Sequence, residues 1–524
     1  MQGNRFLTKI LFIICVALAP VAQWCSTAYA QDIFDPYTLH EIRIEIAQTG
    51  WFDTLDQWYD ASLDGSAKQF MAAGITIDGN TLKKSSGIRF KGQYSNTGFP
   101  GLKKPFRIHF NKFSDKQDYE GIKKINLHNL AGDPSFLREF VSYDMLRYAG
   151  IAAPRVSFTK LFINNTYWGC YLIAEEPEDK LFLKQNFNTD EGNLFDNADD
   201  TRMEWRGADP LLYPELKLQT KDKAGAWDKL LEWIKLFNTC FDYDFQQRLY
   251  EKFDIDGYLK VLAMDVFLNN WDSYADNGRN YFIYDNPETG KLHWIPWDYN
   301  LAMWKKNLAL FPKDNDSKYN YKPLIWRISE NEFLKEKYYK TFCTLLNKVI
   351  DTYPLEEKTT AITSLIRDAV EADTMKFFSN DAFHKNRTEG VTVNMLRSSI
   401  ATDVWLPGIT SLLSARKDTL RALLKNGGCA CNTVTDDNEV PGVFIKIFPN
   451  PVTSTLTIYT EERDDSVYPV EVMMYDKLGR QVKHISLGTI HGTTQLDVTD
   501  MPDGIYTLKI QLHSKTTITR IVKI

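Results

Sequence analysis

The sequence predicts an α+β fold in a two-lobed order of elements, followed by a small antiparallel β-sandwich. Three observations predict it. Short alternating apolar segments crowd the first part of the chain, helical spacing takes over after about residue 225, and period-two alternation returns after about residue 443. At 524 residues the chain is too long for one ordinary domain. A net charge of −6 argues against nucleic acid or an anionic membrane surface as a bulk electrostatic partner. Thirteen Trp and 26 Tyr suit either a large aromatic core or a carbohydrate-facing surface.

The chain begins with a targeting pattern. Arg5 and Lys9 precede an apolar run over 10–22, and small residues Ala28 and Ala30 stand before a polar start. That is a secretory signal peptide over 1–30 with cleavage after Ala30. The run is too short for a membrane anchor, and no later stretch is apolar enough to span a bilayer, so no transmembrane segment is expected after signal removal.

Between 31 and 427 strands come first. "HEIRIEI" alternates; "SSGIRFKGQYS" and "KKPFRIHF" read as paired strands joined by a Gly-rich loop. "DPSFLREFVSYDMLRYAG" reads as a helix with Asp133 as N-cap and Gly150 as its stop. "VSFTKLFINNTYWGCYLIAEE" is a hairpin turning at Asn164–Asn165. The amphipathic helices "AWDKLLEWIKLF" and "DIDGYLKVLAMDVFLNN" follow, and the second runs into the strand pair "NYFIYD" and "KLHWIPWD", joined by "NPETG". A last helix stops at Gly427–Gly428; a polar linker spans 428–442, and 443–524 forms the sandwich. Removing the signal leaves Cys170, Cys240, Cys343, Cys429 and Cys431, an odd number, so at least one thiol is free or pairs between chains. Cys429 and Cys431 are too close for an ordinary disulfide with each other and lack a companion cluster for zinc, so they receive no role.

The chemistry gathers at 269–300. Asp272 follows the end of a helix, and in a hairpin with this turn Asn280 and Asp298 approach the same open end. Two carboxylates and an amide oxygen are hard ligands suited to Mg²⁺, Mn²⁺ or Ca²⁺. A carboxylate beside such a metal can accept a proton from an attacking hydroxyl. An acid, an Asn and a second acid in this order also match the sequence logic of phosphoryl transfer. Upstream, the strand–loop–strand over 87–105 could lie over phosphates, with Lys103, Lys104 or Arg107 reaching them and Glu139 pairing with that base. Asp276 and Asp285 read as cap or turn residues, Trp271, Trp294 and Trp297 as packing, and His109, His128 and His293 as structural. Lys103 reads as a solvated neighbour of Lys104.

Residues 36–427 resemble the CotH-type kinases, relatives of atypical protein kinases. The resemblance rests on "GIRFKGQYS" with "KKPFRIHF", "INLHNLAGDPSFLREFVSYDMLRYAGIAAPR", "FINNTYWGCYLIAEE", and "FLNNWDSYADNGRNYFIYD" with "HWIPWDYNLAM". It implies an atypical protein-kinase-like two-lobed fold using ATP with Mg²⁺ or Mn²⁺ to phosphorylate Ser or Thr of a protein acceptor. Carried over, Asp272 is the catalytic acid and Asp298 a metal ligand. Asn280 is the amide ligand, with Asn277 as the fallback. Lys104, with Gly92 of the loop and Glu139, falls at the phosphates, and Glu175 in the nucleotide cleft. Two departures from the family pattern stand out: "KGQYSNT" alters the phosphate loop, and Asn300 replaces an acid. They leave open a catalytically inactive surface binding or adhesion protein.

The final segment resembles the C-terminal sorting domain of type IX secretion cargo in Gram-negative bacteria, through "FPNP", "VMMYDKLGRQV", "MPDGIYTLKI" and the basic-apolar last strand. That resemblance implies export through the periplasm by the type IX machinery to the outer surface or the medium. A glycoside hydrolase using Asp272 and Asp298 is a further reading; it leaves the basic strand near Lys104 without a purpose.

Overall fold

The computed structural model describes residues 32–197, 199–220, 225–240, 245–304, 307–312, 322–397, 400–427, 431, 444–448, 452–461, 469–476, 480–489, 492–512 and 515–523. Residues 1–31, where the signal peptide is expected, and nearly all of the expected 428–442 linker, Cys429 included, lie outside the described residues.

The first strands are β1 (Leu39–Glu45), β2 (Met71–Ile77), β3 (Asn80–Thr81), β4 (Ser86–Phe90), β5 (Phe106–His109), β6 (Lys124–His128), β7 (Val156–Ile163) and β8 (Thr166–Glu175). Their order is β1-β7-β8-β6-β5-β4-β2-β3, and β1 also pairs with β2. The sheet therefore closes on itself as a barrel, which removes its open edges. β1 runs parallel to β7, and the pairs from β4 through β5 and β6 to β8 are antiparallel. Side chains alternate across a strand, so Ile42, Ile44, Ile75, Ile88, Phe106, Ile108, Ile125 and Leu127 fill the barrel. Arg89, Lys91, Arg107, Asn126 and His128 fall on the opposite parity and point outward. β4 and β5 pair as expected, Ile88 opposite Ile108. The β7–β8 hairpin turns where both Asn164 and Asn165 adopt positive φ, 46° and 64°, the backbone of a type I′ turn.

The next helix differs from expectation. It spans Arg138–Tyr148, and Asp133 is not its N-cap. The Asp133 carboxylate instead accepts the Arg138 main-chain N–H at 2.7 Å and its guanidinium at 2.6 Å. Ser135 donates to it as well, so an extra turn precedes the helix. The helix is buried along most of its length and rests on the barrel through Phe140 and Phe158, ring centroids 5.9 Å apart.

A second sheet holds β9 (Asn193–Asn197), β10 (Leu216–Leu218), β11 (Tyr281–Asp285) and β12 (Leu292–Pro296) in the order β10-β9-β11-β12. β11 and β12 form the expected hairpin, with Tyr281 stacked on Trp294 at 4.1 Å. The helix Ile255–Phe267, capped by the Asp254 carboxylate, delivers the chain to the loop before β11. It shares one large apolar core with the helices Ala226–Thr239, Glu332–Leu345 and Ile409–Asn426.

Two long-range ties were not foreseen. Cys343 and Cys431 form a disulfide across 88 residues, which gives Cys431 a partner and fixes the start of the linker to the helix Glu332–Leu345. Cys170 and Cys240 are buried and take no part in a disulfide among the described residues. Lys103 is fully buried rather than solvated: its amine donates to Asp373 at 2.6 Å and to the Cys170 carbonyl at 2.9 Å. After the linker, a three-stranded and a four-stranded antiparallel sheet share a core of Leu456, Ile458, Leu496, Val472, Met474, Leu508 and Ile510. Among the described residues no helix is long and apolar enough to cross a membrane.

Candidate active site

The site lies where the outward face of β4–β6 meets the open end of the β11–β12 hairpin. The Trp297 main-chain N–H donates to the Asn280 carbonyl at 3.1 Å, extending the hairpin by one pair and placing Asn280 beside Asp298. Both take positive φ, 64° and 55°, a region that Asn and Asp tolerate better than most residues and that recurs at functional sites. The Asn280 amide donates to the Asp272 carboxylate at 3.1 Å and to its carbonyl at 2.8 Å. Asn277 donates to the same carboxylate at 2.9 Å. Asp272, Asn277 and Asn280 are thus joined by hydrogen bonds, and Asp298, next to the Trp297 that pairs with Asn280, lies near enough to feel the Asp272 charge.

The electrostatics follow from burial. Asp298 is pushed up to about 6, first by desolvation and then by the Glu139 carboxylate, while the Lys91 ammonium pulls it down. The Asp272 carboxyl is also raised by burial, against its hydrogen bonds from Asn277 and Asn280 and the charge of Arg279. Beneath the loop, Asp265 accepts a 2.5 Å hydrogen bond from the Tyr299 hydroxyl, and its main-chain carbonyl accepts the Asn270 N–H. Burial raises Asp265 to about 7. This buried carboxyl braces the loop that carries Asp272, and its position inside an apolar helix was the only signal available in the sequence.

The basic side of the site differs from expectation. Lys104 donates to the Asn96 carbonyl at 2.9 Å within its own loop, and it does not pair with Glu139. Lys91 occupies the site instead. Its amine meets His128 Nε2 at 2.8 Å, and His128 Nδ1 meets the two Glu139 carboxylate oxygens at 2.8 and 2.9 Å. The amine also lies over the Trp297 ring, 5.1 Å from its centroid. Burial lowers Lys91 and raises Glu139, each drawn back by the other's charge. His128 is driven down to about 3, mainly by burial, so its ring is neutral. His128 is thus part of the site rather than only structural.

Glu175 is likewise displaced from the cleft: its carboxylate is held by Arg155, with contacts of 2.7–3.2 Å. The following residue, Glu176, faces the site. It pairs with Arg107 and accepts from Asn126 at 2.9 Å. Arg107 also reaches Glu178 at 3.2 Å, which Lys124 contacts at 3.1 Å. Lys124 and Glu178 in turn line a cavity of about 520 Å³ with His109, Lys123, Asp190 and Gln219. Gly92 follows Lys91 with φ 69°, and a Cβ there would stand 2.4 Å from Ser95 Oγ, so the loop requires glycine. Its carbonyl accepts the Tyr59 hydroxyl at 2.5 Å. Asp285 is structural, in an ion pair with Lys229 at 2.8 Å.

No group of three or more His, Cys, Asp or Glu side chains is arranged as a metal site among the described residues. Asp298, Asp272 and the amide oxygen of Asn280 are a partial, all-oxygen set. That set fits an ion such as Mg²⁺, which keeps waters and substrate phosphates in its shell, better than one needing a complete protein cage.

The family model for CotH kinase protein matches residues 88–396, and that for a secretion system C-terminal sorting domain matches 446–524. The inner spore coat protein H of Bacillus subtilis is 26% identical over 309 residues, covering 56% of this chain and 81% of that protein. Invasin CotH3 of Rhizopus delemar is 23% identical over 271 residues, covering 47% of this chain and 44% of the invasin. Spore coat protein homolog 1 of the same fungus is 22% identical over 342 residues, covering 60% and 54%. The chain thus spans about half the length of these two fungal relatives. The first match runs through every site residue from Lys91 to Asp298 and covers more than half of the sequence: the chain belongs to the CotH kinase protein family.

Proposed function

We propose that this domain transfers the γ-phosphoryl group of ATP to a Ser or Thr hydroxyl of a protein acceptor, outside the cytoplasm. The observation that carries the reading is the meeting of two acids and an amide, Asp272, Asp298 and Asn280, with a basic group, Lys91, tied to Glu139 on the adjoining helix. Phosphoryl transfer asks chiefly for positioning and for charge placed around the phosphates. In this reading Lys91 holds phosphate oxygens, and Asp272 orients the acceptor hydroxyl and takes its proton. Asp298 and the Asn280 oxygen hold Mg²⁺ or Mn²⁺. When bound, that ion neutralises charge on the phosphates. The sorting tail supports handling by the type IX secretion machinery and residence at the outer surface or in the medium.

A second reading, a kinase-like binding protein without turnover, is favoured by the loop over 92–104. Lys104 is spent on Asn96, and the Asn129 amide ties down the Ser95 and Lys103 carbonyls. Asn300 also leaves the metal neighbourhood one charge short. The test is calorimetric binding of ATP to the full chain with Mg²⁺ or Mn²⁺, beside Asp298→Ala, followed by transfer of label from γ-labelled ATP to casein and to the chain itself. Metal-dependent binding lost in the variant, with label incorporation, supports the kinase. Absence of binding with either metal overturns it in favour of the binding protein.

A further inference from the structure

In phosphoryl-transfer enzymes of the protein-kinase type, the phosphate-binding lysine pairs directly with a helix glutamate. Here an imidazole stands between the two. Lys91 and Glu139 are joined through the opposite nitrogens of His128, at 2.8 Å on the lysine side and 2.8–2.9 Å on the carboxylate side. An ammonium can only donate, so Nε2 must accept from Lys91, and the ring proton sits on Nδ1, donated to Glu139. The tautomer is thereby fixed from both ends. His128 and Glu139 are buried, and the imidazole and the Trp297 ring meet edge to face with centroids 6.0 Å apart. The three groups come from the end of β4, the end of β6 and the first turn of the helix Arg138–Tyr148, so the bridge also joins the barrel to that helix.

We propose that His128 is a positioning residue that sets the Lys91 amine at the site by bridging it to Glu139. Its purpose rests on the phosphoryl-transfer reading; its geometry does not. A Gln side chain can place an acceptor near the position of Nε2, whereas Asn can place a donor near that of Nδ1. His128→Gln therefore retains the Lys91 contact and gives up Glu139, and His128→Asn does the reverse.

The experiment uses the full chain and the variants His128→Gln, His128→Asn and His128→Leu, with two readouts. One is acetylation of Lys91 by limiting acetic anhydride, read by peptide mass spectrometry against the exposed Lys83. The other is Mg²⁺–ATP affinity by calorimetry. The bridge predicts that Gln stays close to the wild-type labelling rate. Asn and Leu should label Lys91 severalfold faster and bind ATP about tenfold or more weakly, the scale of one hydrogen bond to a charged group. Should the Leu variant fail to fold, the Gln and Asn pair decides. An Asn variant like wild type beside a defective Gln variant would overturn the proposal, leaving His128 as a support for Glu139 alone. So would three variants whose labelling follows thermal stability only. If no protein binds ATP, wild type included, the kinase reading fails, and the order of Lys91 labelling still decides the bridge.

Discussion

Replacing Asp298 by Asn should stabilise the metal-free protein at neutral pH even as it abolishes metal–nucleotide binding. The Asp298 carboxyl titrates at about 6 in the fold against an ordinary 3.8, with burial as the largest cause and the Glu139 carboxylate next. A folded-state value above the unfolded one means that the native state binds the proton more tightly. The stabilisation from that proton is complete below about pH 4 and is lost as pH rises through about 6. Two pK units at about 1.4 kcal/mol each set a ceiling of about 3 kcal/mol, and water at the cleft reduces it to about 1–2 kcal/mol. Asn does not titrate, tolerates φ 55°, and leaves the hydrogen bond from the residue 298 N–H to the Tyr143 hydroxyl in place. Urea unfolding of both proteins in chelator, followed by Trp fluorescence, should show a difference in favour of Asn at pH 7.5 that shrinks to about a third at pH 4.5. Added Mg²⁺–ATP should reverse the order by stabilising only the wild type. An Asn variant less stable at pH 7.5, or a difference independent of pH, would refute the electrostatic argument.

Three further outcomes are expected. Asp272→Asn should lower phosphoryl transfer by about 10²–10⁴-fold while leaving ATP affinity nearly intact, measured by label incorporation beside calorimetry. Cys343→Ser opens a loop of 88 residues and should cost about 2–5 kcal/mol, visible as a lower melting temperature that reductant no longer changes. Asp373→Ala strands the buried Lys103 amine and should cost about 3–5 kcal/mol, whereas Lys103→Met with Asp373→Leu should recover most of it in the same melting assay.

What the sequence disclosed divides along a physical line. The hairpin at 281–296 was legible because its turn residues and its alternation are local, and from them the approach of Asn280 to Asp298 follows. The β7–β8 turn was legible for the same reason. Barrel closure was not: alternation shows which residues face a core, but not that β1 pairs both β7 and β2. The Cys343–Cys431 bridge and the Lys103–Asp373 pair join residues 88 and 270 positions apart, beyond any local pattern.

The lysine and the glutamate were legible, and were missed by parity. In "GIRFKG", Ile88 and Phe90 fill the barrel, so Arg89 and Lys91 must face out. In "INLHN" the same rule turns His128 outward. Applied strictly, alternation selects Lys91 over Lys103 and Lys104, which lie in a loop where no period holds. Glu175 and Glu176 stand at the end of β8, and one residue there decides between the Arg155 pair and the Arg107 pair. A strand thus assigns its charged residues to one side more firmly than any motif does, provided its register is carried to the last residue. At this site the last residues are the ones that matter, since Lys91 and Glu176 both sit one step beyond their strands.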